Sequence, residues 1–297
     1  MNKTEQLVQR TLRKVFADDT IVYDKSHFAG GLTNYNYIMT IHDKTYVIRE
    51  PGVMTDRMLN RPVEQVNNVI ASELGVNSVC VYFDQESGIK ISEYIENGKT
   101  FAALDPCASD CVRAVAALLK TTHASPKVFS NVFDWEAELS KYERIVLDQN
   151  GQLFSDYPYL KEKLFQFIRQ NVSSFESIPC HNDTVPENFL MNTVTGRPYL
   201  IDWEYSGMNE AMWDLSCLSI EAAFTEENDN ALLTAYYERQ ATIGEKKRFI
   251  AAKLYVDYLW TLWGLTRVPY DGDFMQQYAD ERYARLKKNI DAYKKLS

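Results

Sequence analysis

The segment IPCHNDTVPENFLMN, residues 178–192, sets His181, Asp183 and Asn188 around Pro186 between apolar runs. Its first polar residues and Asn188 fit the pattern H-x-D-x-x-x-x-N. Phosphoryl transfer needs a carboxylate to orient an attacking hydroxyl and a neutral oxygen ligand nearby to hold a metal ion. Its catalysis is mostly positioning and charge neutralisation. Fourteen residues beyond Asn188, Asp202 follows the apolar run in YLIDWEY, where a carboxylate can supply a second metal ligand. Taken alone, the first pattern also describes a polar surface loop. An aspartate at that distance, closing a strand, is what favours chemistry.

The spacing matches a protein-kinase catalytic loop, and Asp202 then stands where those enzymes carry the DFG aspartate. Upstream, AGGLTN (29–34) reads as a phosphate-covering loop. Gly30 and Gly31 would let backbone N–H groups approach a triphosphate, and Thr33 or Asn34 would add a donor. In isolation the motif is equally a Gly-Gly hairpin turn. Arg49 ends the next strand pattern, the place for a basic residue on the α- and β-phosphates, and Glu64 on the following helix can pair with it. Each is also an ordinary surface charge in type. Arginine in place of the usual lysine brings a planar fork, so the lysine geometry does not transfer.

A third constellation concerns the acceptor. In KLYVDYLWTLWGL (253–265), Asp257, Trp260 and Trp263 recur every three residues and share a helical face. Tyr278 lies in a further helix, and Glu221 follows Asp202 by about one helix length. A tryptophan stripe is ordinarily core. Aromatic faces with carboxylates are also what a quaternary ammonium requires, because it offers no N–H donor and is held by cation–π contact and charge.

The elements that must position these residues change character along the chain. YNYIMTI (35–41) and TYVIR (45–49) read as strands joined by a tight turn. Asn60 is a helix N-cap for RPVEQVNNVIASELG, with Pro62 in the first turn, Gly75 as the stop, and Val63, Val66, Ile70 and Leu74 on one face. Strands SVCVYF and GIKISEYI follow. Beyond Asn97-Gly98, SDCVRAVAALLKTTH, DWEAELSKYERIVLD and YLKEKLFQFIRQNV carry helical spacing; RPYLIDWEY reads as a strand ending at Asp202, and the chain from about Ala211 is helical again. The expectation is an α+β, bilobal architecture. A small antiparallel-sheet lobe spans residues 1–96, a large mainly helical lobe spans 97–297, and the two join near Glu93 to Gly98.

Whole-chain properties fit a globular protein: 297 residues, 45% hydrophobic, 25% charged, and 13% aromatic with 19 Tyr. The net charge of −9 repels nucleic acid and anionic membranes and favours a cationic small substrate. MNKTEQLVQRTLRKVF lacks the apolar stretch of a secretory signal, and no run reaches the roughly 18 apolar residues of a membrane span. Five scattered cysteines without zinc spacing read as reduced thiols, so a cytoplasmic location and no membrane insertion are expected.

PCHNDTVPENF…YLIDWEYSGMNEAMWDLS, with GGLTNYNY, NRPVEQVN, GIKISEYIE and LWTLWG, resembles the choline/ethanolamine kinase branch of the aminoglycoside-phosphotransferase superfamily, and within it the bacterial LicA-type choline kinases. The resemblance covers most of the chain. It implies a protein-kinase-like fold, ATP and Mg²⁺ as co-reactants, phosphocholine as product, and adenine docked on backbone near Glu93 to Ile95. By position it makes Asp183 the base or hydroxyl orienter, Asn188 and Asp202 the metal ligands, Arg49 a phosphate contact and Glu64 its ion-pair partner. His181 braces the loop, and Pro186 keeps the segment from running on as a helix. Tyr205, Glu221, Trp260, Trp263 and Tyr278 match the choline pocket, and Asp214 in MWDLS matches a structural carboxylate. A kinase for ethanolamine, another amino alcohol or an aminoglycoside is the alternative within enzymes. A catalytically dead binding protein on the same scaffold is the alternative outside them. Neither oligomeric state nor nucleotide preference is legible.

Overall fold

The computed structural model describes residues 2–30, 34–53, 55–171 and 176–294. Helix α1 (Lys3–Phe16) starts at Asn2, whose side chain accepts from the Glu5 amide while Glu5 caps the Asn2 amide in return. Strands β1 (Phe28–Gly30), β2 (Asn34–Ile41) and β3 (Lys44–Pro51) come next, then the short α2 (Thr55–Met58) and α3 (Arg61–Glu73), then β4 (Cys80–Phe83) and β5 (Lys90–Glu93). They form one five-stranded antiparallel sheet in the order β1-β2-β3-β5-β4. Alternation works as expected on β2: Tyr37, Met39 and Ile41 turn inward onto Val8 and Leu12 of α1.

Helix α3 begins and ends as its sequence predicts, with Asn60 accepting from the Val63 amide and Gly75 in a left-handed conformation just past the end. Its buried face differs from the expectation. Val66 and Val69 are exposed, whereas Glu64, Asn67, Asn68 and Ala71 are buried. Of the inward polar groups, Asn67 finds its partners far along the chain. Asn67 Nδ2 donates to Asn131 Oδ1 (3.0 Å) and to the Ser206 carbonyl (3.1 Å), and Asn67 Oδ1 accepts from the Ser130 amide (2.9 Å). Such a satisfied network costs little to bury, so a polar stripe can face inward.

After β6 (Gly98–Thr100) and α4 (Phe101–Leu104) the chain is mainly helical: α5 (Ser109–His123), α6 (Trp135–Asp148) and α7 (Tyr157–Asn171). The catalytic-pattern segment is not one loop. It contains β7 (Ile178–Cys180), a one-turn 3₁₀ helix at Pro186–Asn188 and β8 (Phe189–Asn192), followed by β9 (Pro198–Leu200). Pro186 therefore opens a turn where the sequence reading has it stop a helix; its fixed φ suits the first position and it has no N–H to satisfy. β9 ends at Leu200, two residues before Asp202. A second 3₁₀ turn (Trp203–Tyr205) and β10 (Gly207–Asn209) lead into α8 (Ala211–Glu221), α9 (Glu226–Tyr237), α10 (Ile243–Asp271) and α11 (Asp273–Lys294). α10 is the axis of this region, packing against α6, α8 and α11. No helix among the described residues is long and apolar enough to cross a membrane.

Candidate active site

Asp214, near the start of α8, is the anchor of the catalytic-pattern segment. It is fully buried, and its Oδ2 accepts from the His181 amide (2.8 Å) and from His123 Nε2 (3.0 Å), its Oδ1 from the Asn182 amide (2.7 Å). His123, Cys180 and Asp214 gather closely enough for a metal ion. Because the carboxylate's oxygens already accept N–H donors and burial holds the Cys180 thiol protonated, the cluster works as a brace. Asn182 adopts a left-handed conformation (φ 68°), stabilised by its side chain: Nδ2 donates to the Tyr205 carbonyl at 3.0 Å and Oδ1 accepts from Asn209 at 2.8 Å.

His181 is wholly buried and has both ring nitrogens engaged. Nε2–H donates to the Ile201 carbonyl (2.8 Å), and Nδ1 accepts from the Asp183 amide (3.3 Å). Burial depresses its pKa, so the ring is neutral and holds the turn on which Asp183 sits. Asn188, on the 3₁₀ turn, donates from Nδ2 to the Asp183 carbonyl (2.9 Å) and to Asp183 Oδ2 (3.2 Å). Burial, with the charges of Asp202 and Glu221 nearby, pushes the Asp183 carboxyl up to about 8. Asp202 is non-glycine yet left-handed (φ 65°), which turns its carboxylate out of the strand line toward Arg49 Nη1 at 3.9 Å.

Arg49 and Glu64 form a buried bidentate pair: Nη1 to Oε1 at 2.5 Å and Nη2 to Oε2 at 3.0 Å. The guanidinium also donates from Nε and Nη2 to the Gly88 carbonyl, each at 3.3 Å. Two residues that the sequence reading did not single out complete this cluster. Lys90, opposite Arg49 on β5, donates to Glu64 Oε1 at 3.2 Å. Glu204 lies 3.8 Å from Arg49 Nη1 and accepts from Asn34 Nδ2 at 2.7 Å, joining the end of the glycine segment to the acidic cluster. Burial and the Asp202 charge raise the Glu204 pKa well above the ordinary value. Its only sequence signal was the spacing of two from Asp202 in IDWEY.

Gly30 ends β1 with φ 105°, a conformation glycine adopts freely, and its carbonyl accepts from Asn36 Nδ2 at 3.2 Å. Gly31 and Thr33 lie outside the described residues. At the connection, the Glu93 amide donates to the Val79 carbonyl (2.9 Å) and the Tyr94 amide to the Thr45 carbonyl (3.0 Å), while the Ile95 carbonyl accepts from the Gly98 amide (3.0 Å). The Glu93 side chain pairs with Lys44, away from the acidic cluster.

The aromatic residues come together as one chain of rings. Tyr205 meets Trp260 edge-on (5.3 Å between centroids), Trp260 meets Trp263 (6.1 Å), and Trp263 meets Tyr278 (5.6 Å). Trp263 Nε1 donates to the Tyr205 hydroxyl at 3.0 Å, whereas the buried Trp260 Nε1 finds no acceptor among the described residues. Gly264 permits this packing: a Cβ there would lie 2.7 Å from Tyr278 Cδ1. Glu221, the last residue of α8, is paired to Arg282 and Arg285 of α11. Asp257 is buried against Arg285 (Nε to Oδ1, 2.8 Å) and points its charge there. The carboxylates of Asp183 and Glu221 and the hydroxyl of Tyr278 interact electrostatically, so the Tyr278 end of the ring series lies within reach of the Asp183 charge.

Comparison with known proteins bears on this geometry. The choline/ethanolamine kinase family model matches residues 26–293. Protein LicA of Haemophilus influenzae strain Rd is 31% identical over 240 residues, 78% of this chain and 89% of the relative. The crystal structure of choline kinase LicA from Streptococcus pneumoniae is 29% identical and superposes with a TM-score of 0.80 over 96% of this chain and 99% of that one. A structure of LicA in complex with AMP is 28% identical, with a TM-score of 0.82 over 99% of this chain and all of that one. Aminoglycoside 2'-phosphotransferase-IIIa shares the fold, at 16% identity and a TM-score of 0.68. The chain belongs to the choline/ethanolamine kinase family and is an ATP-dependent kinase.

Proposed function

We propose that the acceptor is choline and that the cleft between Arg49 and the aromatic chain transfers the γ-phosphoryl group of ATP to its hydroxyl, giving phosphocholine and ADP. The observation that carries this reading is the ring series Tyr205–Trp260–Trp263–Tyr278 beside Asp183, a wall of π-faces that suits a trimethylammonium group. Asp183 orients the choline hydroxyl and receives its proton as the oxygen bonds to the γ-phosphorus and the bond to the ADP oxygen breaks. Arg49, fixed by Glu64 and the Gly88 carbonyl, presents its cationic guanidinium to the phosphates, and the glycine segment from Gly30 through Gly31 and Thr33 to Asn34 covers them. Adenine lies against backbone of the Glu93–Ile95 connection, which marks the boundary between residues 1–96 and 97–297.

Mg²⁺ suits the donor set. Asn188 offers an amide oxygen, and Asp202 and Glu204 offer hard carboxylates; burial and the Asp202 charge together raise the Glu204 pKa, and a cation relieves the repulsion between the two. When bound, the ion neutralises the developing phosphate charge. His181 acts as the brace of the Asp183 turn. Five free thiols support a cytoplasmic site of action, where ATP is available.

The test is ADP release over a panel of choline, ethanolamine, other amino alcohols and an aminoglycoside, using the parent and Asp183→Asn. Choline is expected to give the highest kcat/KM, and Asp183→Asn to lower turnover by about 10²–10⁴ with its melting temperature retained. Best turnover of another acceptor refutes choline. A folded Asp183→Asn protein with near-parent turnover refutes the role of Asp183.

A further inference from the structure

Helix α11 puts two arginines behind the ring wall, and the transfer reaction gives neither a task. Arg282 lies one turn after Tyr278, with its guanidinium carbon 3.2 Å from the centroid of the Tyr278 ring. Its Nη2 donates to Glu221 Oε2, while Arg285 Nη2 donates to the other oxygen, Glu221 Oε1, at 3.3 Å. Arg285 is itself fixed by Asp257 and by the Ile220 carbonyl at 3.0 Å. Among the described residues Arg282 Nε finds no acceptor, so Glu221 and Tyr278 hold this guanidinium in place. Two carboxylates, Glu221 and Asp257, face two guanidiniums, and the formal charges of this buried group cancel.

The arrangement treats two kinds of ammonium differently. A primary ammonium has three N–H donors, each of which loses a water on entering the cleft and needs an acceptor in return. Glu221 is the carboxylate that acts most strongly on Tyr278, and both its oxygens already serve arginines. A quaternary ammonium has no N–H to satisfy and gains from the ring faces alone.

We propose that Arg282 is a specificity-determining residue. By engaging Glu221 and backing one face of Tyr278, it withholds the pocket's carboxylate from N–H donors and so directs the enzyme toward quaternary and away from primary amino alcohols. The inference rests on the choline reading above and concerns which part of the pocket enforces it.

The experiment compares kcat/KM for ethanolamine, its mono- and dimethyl derivatives and choline, in the parent and in Arg282→Met and Arg282→Lys. Arg282→Met, which keeps the stem and removes the charge, is expected to lower the choline-to-ethanolamine ratio by about tenfold or more, graded along the methyl series. Arg282→Lys is expected to keep most of the preference. A ratio within about threefold of the parent, or an equal loss on every amine, overturns the inference, since a structural residue would act that way. If Arg282→Met does not fold, Glu221→Gln decides. A carboxylate already committed to arginines predicts similar losses on both amines. A loss selective for ethanolamine by about tenfold would make Glu221 a direct ammonium ligand and overturn the inference. A parent enzyme that prefers ethanolamine refutes the choline reading itself, before any variant is compared.

Discussion

Replacing Arg49 by lysine conserves charge but not geometry, and the structure lets the cost be worked out. The guanidinium makes two bonds to Glu64, at 2.5 and 3.0 Å, and two at 3.3 Å to the Gly88 carbonyl. A lysine ammonium at this site can reach one carboxylate oxygen. The loss is one charge-assisted hydrogen bond, about 1.5–3 kcal/mol, plus the weaker carbonyl contact, about 1 kcal/mol. Lys90 at 3.2 Å keeps Glu64 from being stranded, so the full penalty of severing a buried pair does not arise. Arg49→Lys is therefore expected to lose about 3 kcal/mol in urea unfolding and to raise the KM for ATP. Arg49→Met, which also removes the charge facing Asp202 and Glu204, is expected to lose more, about 3–5 kcal/mol. Stability of Arg49→Lys within about 1 kcal/mol of the parent, or equal losses in the two variants, would show that the fork does not organise the site.

Three further outcomes follow from the same geometry. Trp260→Leu keeps most of the buried volume but removes a π-face worth roughly 1–2 kcal/mol, so choline KM should rise about tenfold at similar kcat; an unchanged KM would remove Trp260 from the pocket. Gly264→Ala drives a methyl into Tyr278, 2.7 Å away, and is expected to weaken choline binding about tenfold while ATP KM stays at the parent value; equal KM values for both substrates in variant and parent would contradict the packing argument. Asp183, held near pKa 8, is mostly protonated at pH 7 without metal, and a divalent cation beside it lowers that pKa. At pH 7 the parent should thus release more protons on binding Mg²⁺ with ADP than Asp183→Asn does, by up to about 0.9, the difference declining as pH rises through 8; calorimetry in buffers of different ionisation enthalpy reads this directly, and equal proton release by the two proteins would refute it.

Features encoded by short spacing were legible in the sequence. The H-x-D-x-x-x-x-N pattern, the N-cap at Asn60 and the alternation of β2 depend on residues within a turn or two of one another. What escaped depends on partners far along the chain. Glu204 owes its place to Asn34, 170 residues away, and Arg282 to Glu221, 61 residues away. Helix α3 is the sharpest case. Its valines promise an apolar inner face, but Asn67 has acceptors and donors waiting on residues 130, 131 and 206, so the polar side goes in. Hydrophobic periodicity ranks residues by transfer free energy alone, and a buried asparagine with every bond made falls outside that ranking.

The Asn67 seam also bears on how this enzyme can be controlled. In protein kinases the helix carrying the ion-pair glutamate swings in and out, and its position sets activity. Here the helix that carries Glu64 is tied, one turn further on, to two different segments, at residues 130–131 and 206. Displacing it would strand a fully buried amide and an ion pair together, and both penalties apply at once. A swing of this helix is therefore a costly way to switch the enzyme, and the seam holds Glu64 against Arg49 in the folded chain.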